Sequence, residues 1–182
     1  SSPAPSPSSV SLAEWTSDEV AVHAQGWDII VPTGGVEYNG PNVVLGKHDV
    51  VVRELCERIA RRRGRTLCAP VVSYVPEGTW SPPTGWIGTP GTLGASPDTF
   101  ERILRDAVRS SWAFGAPCVH LIGDSGGNQA TLARVAATMN RGAEHNASVV
   151  ARVVYHGAYY DSVHAMYARL ARRGLYVSRP AT

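Results

Sequence analysis

Short apolar runs alternate along the chain with stretches whose apolar residues recur at helical spacing. Residues 28–32, 66–72, 117–122 and 148–154 read as strands, and the last three are nearly continuous in apolar character, as expected of parallel strands covered on both faces. Between them, Val52, Leu55, Cys56, Ile59 and Ala60 share one helical face, and Phe100, Ile103, Leu104, Ala107 and Val108 share another. Leu132, Val135, Ala136 and Met139 repeat the spacing, and Val163, Met166, Tyr167 and Leu170 follow. Gly64, Gly115, Gly142 and Gly174 stand where helices are expected to stop. Arg61 to Arg63, Arg141, Arg172 and Arg173 fill last turns, where a cation complements the helix dipole. Ser96-Pro97-Asp98 has the form of a helix start. The resulting β-α-β-α-β-α-β-α order predicts a three-layer α/β/α sandwich around a mainly parallel four-stranded sheet.

In such sheets ligands gather beyond the carboxyl ends of the strands. Three loops leave those ends, at residues 32–48, 73–95 and 123–128, and all are rich in Gly, Pro and polar residues. The second is long for a structureless connection, which favours a functional role. The first nine residues are Ser, Pro and Ala with no packing side chain larger than proline, so residues 1–10 are expected to form a flexible leader and residues 11–182 a single domain.

Composition narrows the classes. A chain of 182 residues, 43% hydrophobic and 18% charged, buries a core unaided. A net charge of +2 argues against nucleic acid or a membrane surface as the main partner, and no apolar run approaches the ~20 residues of a membrane span. The leader suits a secreted or periplasmic chain after signal-peptide removal; otherwise the compartment is cytoplasmic. Cys56, Cys68 and Cys118 form no CxxC pair and are odd in number, so neither a disulfide framework nor a structural zinc knuckle is expected.

The chemistry-bearing residues lie in the three loops. The first reads Pro32-Thr33-Gly34-Gly35-Val36-Glu37-Tyr38-Asn39-Gly40-Pro41-Asn42 and continues to Gly46-Lys47-His48-Asp49. The second contains Tyr74-Val75-Pro76-Glu77-Gly78, Pro82-Pro83-Thr84-Gly85-Trp86 and Thr89-Pro90-Gly91-Thr92. The third is Gly123-Asp124-Ser125-Gly126-Gly127-Asn128-Gln129. In order and spacing these resemble the creatininase family of metal-dependent amidohydrolases, whose loops read G-x-E-Q-H-G-P-H-L-P-L-G-T-D, P-G-T and N-G-H-G-G-N. The resemblance covers roughly residues 28 to 140. It implies two metal ions that activate water against a carbon–nitrogen bond, commonly a cyclic amide, and a homo-oligomer.

Several positions depart from that pattern. Glu37 falls on a ligand glutamate, and His48 on the aspartate that bridges the metals. Asn39, Asn42 and Ser125 stand where the family has histidines, and Gly127 stands where creatininase itself has a carboxylate. The resemblance therefore implies an altered site holding one divalent ion, zinc or manganese, on Glu37 and His48, or none.

Three readings follow. Hydrolysis is retained with a single metal on Glu37 and His48, Asp124 binding it or acting as base, and Asn39, Asn42, Glu77, Trp86 and Asn128 shaping a small-molecule pocket. Alternatively, Ser125 is a nucleophile beside helix amides that form an oxyanion hole. In the third, the protein is a catalytically reduced member that binds a ligand or assembles with its own copies. Plainer roles stand beside these: Asp124 and Ser125 as helix caps, His48 as a packed helix-start residue, His120 as a hydrogen-bonded core histidine, and Trp80 and Trp86 as packing or subunit contacts.

Overall fold

A computed structural model describes residues 8–144 and 151–174. The remainder of the leader, His145 and the first residues of the fourth expected strand lie outside the described residues. Helix α1 spans Ser17–His23, β1 Asp28–Thr33, α2 Lys47–Arg63, β2 Thr66–Cys68, α3 Pro97–Ala113, β3 Cys118–Gly123, α4 Gln129–Glu144, β4 Arg152–Tyr155 and α5 Gly157–Arg172. The four strands form one sheet in the order β2-β1-β3-β4, and every pair is parallel.

Strand alternation sorts the two faces. Ile29, Val31, Leu67, Val119, Leu121 and Val153 point one way and pack with Phe100, Leu104 and Val108 of α3 and Leu132, Val135 and Met139 of α4. Ile30, Cys68 and Ile122 point the other way, onto Val52, Cys56 and Ala60 of α2. The last turn of α2 carries Arg61, Arg62 and Arg63, and Gly64 ends it with a positive φ of 67°. Ser96 caps α3 by accepting from the Thr99 amide, with proline in the first turn.

Four sequence expectations change. Strand β2 stops at Cys68 rather than at Val72, because Pro70 has no amide to donate; the chain rejoins β1 through the Val72 amide to the Pro32 carbonyl at 2.9 Å. Helix α4 runs through Gly142 to Glu144 instead of stopping at the glycine. Helix α1 was not expected: its signal is Thr16 and Glu19, which form a reciprocal capping box. Finally, Cys56 and Cys68 form a disulfide between α2 and β2, and Cys118 is the free cysteine. An odd count forbids complete pairing but leaves one bridge open, and both partners are buried on the same sheet face. The described end of the leader lies along β2, where the Cys68 amide donates to the Val10 carbonyl at 2.8 Å.

Candidate active site

The connection after β1 leads to one side of the sheet and that after β3 to the other, so the ends of these strands flank the topological switch point. Every strand contributes there. Glu37 comes from the loop after β1, Glu77 from the loop after β2, and Asp124 directly follows β3. His48 lies in the first turn of α2, and Tyr159 in the first turn of α5 after β4. Glu37, Glu77, His48 and Asp124 are all buried.

His48 is the hub. Its Nε2 lies 2.6 Å from Glu37 Oε1 and its Nδ1 2.7 Å from Asp124 Oδ2. An imidazole that donates to a carboxylate at each nitrogen carries both protons. Burial opposes that charge, but the bonds to Asp124 and Glu37 outweigh it and raise the His48 pKa. The Tyr159 hydroxyl donates to the other oxygen of Asp124.

Two glutamates sit side by side with opposite protonation. Burial opposes the charge on Glu37, yet hydrogen bonds from His48 and Glu77, with the charges of His48 and Lys47, lower its pKa. Burial, then the bond and charge of Glu37, push Glu77 up to about 10. Glu77 is thus a carboxylic acid at neutral pH and donates to Glu37. Its Oε1 is buried without a partner, against Gly35, where an added Cβ would stand 2.6 Å away. Burial lowers the pKa of Lys47, while Asp124 and Glu37 partly restore it. Burial and the charges of Glu37 and Asp124 raise that of Tyr160.

The remaining expected site residues are placed variously. Asn39 donates to its own loop, to the Glu37 carbonyl at 2.9 Å. Asn42 is exposed on the loop's outer turn. Trp86 packs against Tyr38 with ring centroids 5.5 Å apart, and its amide donates to the Glu77 carbonyl at 2.8 Å. Asn128 is fully buried and ties the third loop to the first, donating to Thr33 Oγ1 at 3.0 Å and to the Gly34 carbonyl at 2.8 Å. Ser125 is buried, and its carbonyl accepts from Gln129 at 2.7 Å. Both His48 nitrogens are committed elsewhere, so that imidazole is not free to act as a base for Ser125.

The sequence pattern did not single out Lys47, Tyr159 and Tyr160. Lys47 carried a signal as the only lysine, adjacent to His48. The tyrosines carried one in following the last strand at its carboxyl end.

The residues present do not fit a metal pair. Glu37 and Asp124 lie on opposite nitrogens of His48, so the ring itself fills the space between the carboxylates. A zinc ion bound to a ring nitrogen and a carboxylate oxygen at ~2.0–2.2 Å would hold those two atoms roughly 3 Å apart or more, beyond the 2.6 and 2.7 Å found here.

The creatinine amidohydrolase family model matches residues 13–175. A 3-dehydro-scyllo-inosose hydrolase of Thermotoga maritima is 30% identical over 88 residues, covering 48% of this chain and 26% of that protein. Creatinine amidohydrolase superposes with a TM-score of 0.70 at 22% identity over 82% of this chain and 58% of its own. A creatininase variant complexed with creatine gives 0.71 at 21% identity, over 81% and 57%. A Bacteroides fragilis protein described as a creatinine amidohydrolase gives 0.57 at 18% identity, over 81% and 55%. Manganese and zinc–zinc forms of creatininase are among the similar structures. The chain thus spans less than two thirds of the length of each of these proteins.

Proposed function

The chain belongs to the creatininase family, and from that premise we propose that it is a hydrolase-like member acting on the carbon–nitrogen bond of an amide or cyclic amide, with a proton-carrying cluster in place of metal ions. The observation that carries this reading is the clamping of His48 between Glu37 and Asp124 at the sheet's switch point.

Neighbouring groups whose pKa values are driven apart divide the acid and base roles. Glu37, held ionised, takes a proton from water as the oxygen attacks the carbonyl carbon. Glu77, held protonated, gives its proton to the leaving nitrogen as the carbon–nitrogen bond breaks. The proton gained by Glu37 then passes to Glu77 along their shared hydrogen bond, which restores the starting state. The positive charges of His48 and Lys47 stabilise the negative charge that develops on the carbonyl oxygen. Asp124 and Tyr159 position His48. Asn39, Asn42 and the Trp86–Tyr38 pair shape the pocket mouth, Asn128 braces its floor, and Ser125 has no covalent role.

The test is hydrolysis of a panel of cyclic and linear amides in the presence of a chelator and, separately, with added zinc or manganese. Turnover that persists in chelator and disappears in Glu37→Gln and Glu77→Gln supports the proposal. Turnover only with added metal refutes the metal-free cluster. No turnover under either condition leaves the catalytically reduced, ligand-binding member, a reading favoured by Asn39 being bonded to its own loop. Self-assembly belongs to the same proposal and is supported by Trp80 of the second loop, which is 54% exposed. A monomeric mass by light scattering would count against it.

A further inference from the structure

A second cluster of ligating side chains lies on the sheet face shared with α2, away from the carboxyl-end pocket. Asp28 begins β1 and Cys118 begins β3; because Ile29 pairs with Val119, these two are neighbours across adjacent parallel strands. His120 lies two residues beyond Cys118 and therefore on the same face. The donor atoms of Asp28, Cys118 and His120 all lie within 4.8 Å of one another, and they are the group of three His, Cys, Asp or Glu residues that converges in this way among the described residues. We propose that Asp28, Cys118 and His120 form a binding site for one zinc-class divalent ion, with His156 orienting the His120 ring.

The donor chemistry selects the class. One thiolate, one imidazole and one carboxylate suit a borderline ion such as zinc or cobalt, and a thiolate disfavours magnesium or calcium. The scaffold holds these donors firmly, since two of the ligands are adjacent in register on the two central strands and His120 is only 8% exposed. Orientation comes from His156, which sits just past β4 on the same face, with its Nε2 3.0 Å from His120 Nδ1. His120 Nε2 lies 3.3 Å from Asp28 Oδ2; when an ion binds between them, the ring proton rests on Nδ1, which donates to His156, and Nε2 offers its electron pair to the ion. An outer hydrogen bond that fixes the tautomer is the usual companion of a metal-bound histidine.

Two further features define the site. Arg63 pairs with Asp28 through its Nη2, and its side chain is 52% exposed. It supplies the counter-charge in the ion-free protein and swings into water when the cation arrives. His120, His156 and Arg63 also line a largely apolar cavity of about 270 Å³ that runs past Ile30 and Ile122 to Tyr159. Three protein donors leave one position of a four-coordinate ion for water or for a small ligand entering from that cavity. The ion needs none of the residues assigned to the carboxyl-end cluster.

The experiment is a cobalt(II) titration of the intact protein with its Cys56–Cys68 disulfide oxidised, followed by absorbance. One equivalent should bind and develop a thiolate-to-cobalt charge-transfer band in the near ultraviolet. Cys118→Ser should abolish that band. His120→Gln should weaken binding roughly tenfold or more. His48→Gln should leave the band in place, which separates this site from the carboxyl-end cluster. Circular dichroism matching the native spectrum would show that each variant is folded. A native protein without the band, a band that survives Cys118→Ser, or a band lost in folded His48→Gln would overturn the proposal.

Discussion

Gly127 packs so closely on Pro76 that a Cβ at residue 127 would stand 2.4 Å from the Pro76 carbonyl oxygen. The contact joins the third loop to the second, directly before Glu77. The obstacle to a side chain is backbone, which cannot rotate away as a flexible side chain would. Gly127→Ala is therefore expected to cost about 1–3 kcal/mol through forced displacement of the loop, measured by denaturant unfolding. Gly127→Glu, which would supply the carboxylate found in creatininase, is expected to disrupt the Glu77 loop rather than create a metal ligand. Unaltered stability in Gly127→Glu, together with a zinc equivalent bound beyond that of the native protein, would contradict this packing.

The disulfide gives a simple count. Native protein should expose at most one thiol to a thiol reagent, that of Cys118, and three after denaturation with reductant. The bridge closes a loop between residues separated by 12 positions, for which chain-entropy arguments give a stabilisation of about 3 kcal/mol. Cys56→Ala with Cys68→Ala should accordingly lower the melting temperature. Three reactive thiols in denatured but unreduced protein would show that the bridge does not form.

Replacing His48 with glutamine should be among the most damaging single changes. Glutamine cannot donate to Glu37 and Asp124 in opposite directions, so one buried carboxylate loses its countercharge. Breaking a buried charge pair costs about 3–5 kcal/mol, whereas Tyr159→Phe, which removes one hydrogen bond to a charged group, should cost about 1.5–3 kcal/mol. Unfolding curves for the two variants would rank them, and a smaller loss in His48→Gln than in Tyr159→Phe would show that the imidazole does not carry the charge.

The architecture was legible because both periodicities were clean. Cys118 to Gly123 alternates between the two faces without a break, and Phe100, Leu104 and Val108 mark one stripe of α3, so the parallel sheet and its two helix layers followed from pattern alone. The site was legible only as a set of loops. His48 and Asp124 are 76 residues apart, and their contact depends on β1 and β3 being adjacent in the sheet, which local sequence does not encode. Pairing His48 with Glu37 as metal ligands followed the spacing of the resemblance, whereas the orientation of the ring, with one carboxylate at each nitrogen, is a property of the folded loops. Tyr159 escaped notice because only the packing of α5 brings its hydroxyl to Asp124. The Cys56–Cys68 bridge was not legible because cysteine parity is a property of the whole chain and says nothing about one pair.

Glu77 has a folded pKa near 10 against an ordinary value of 4.5. A group raised in this way contributes stability that is fully present below pH 4.5 and is lost as pH rises toward 10. His48 is also raised, from 6.5, so its contribution is present below that value and is lost as pH climbs through its folded pKa. Glu37 is lowered from 4.5 and acts oppositely, contributing above that value and losing its share as pH falls through its folded pKa. The site should therefore be most stable in weak acid and less so in weak base. Glu77→Gln keeps a neutral donor toward Glu37 while removing the ionisation, so it should flatten the alkaline limb. Its melting temperature relative to the native protein should be higher at about pH 8 than at about pH 5. Thermal melts of both proteins across that range decide the matter. Parallel curves would mean that Glu77 ionises normally in the folded protein, and the division of acid and base between Glu77 and Glu37 would fail with it.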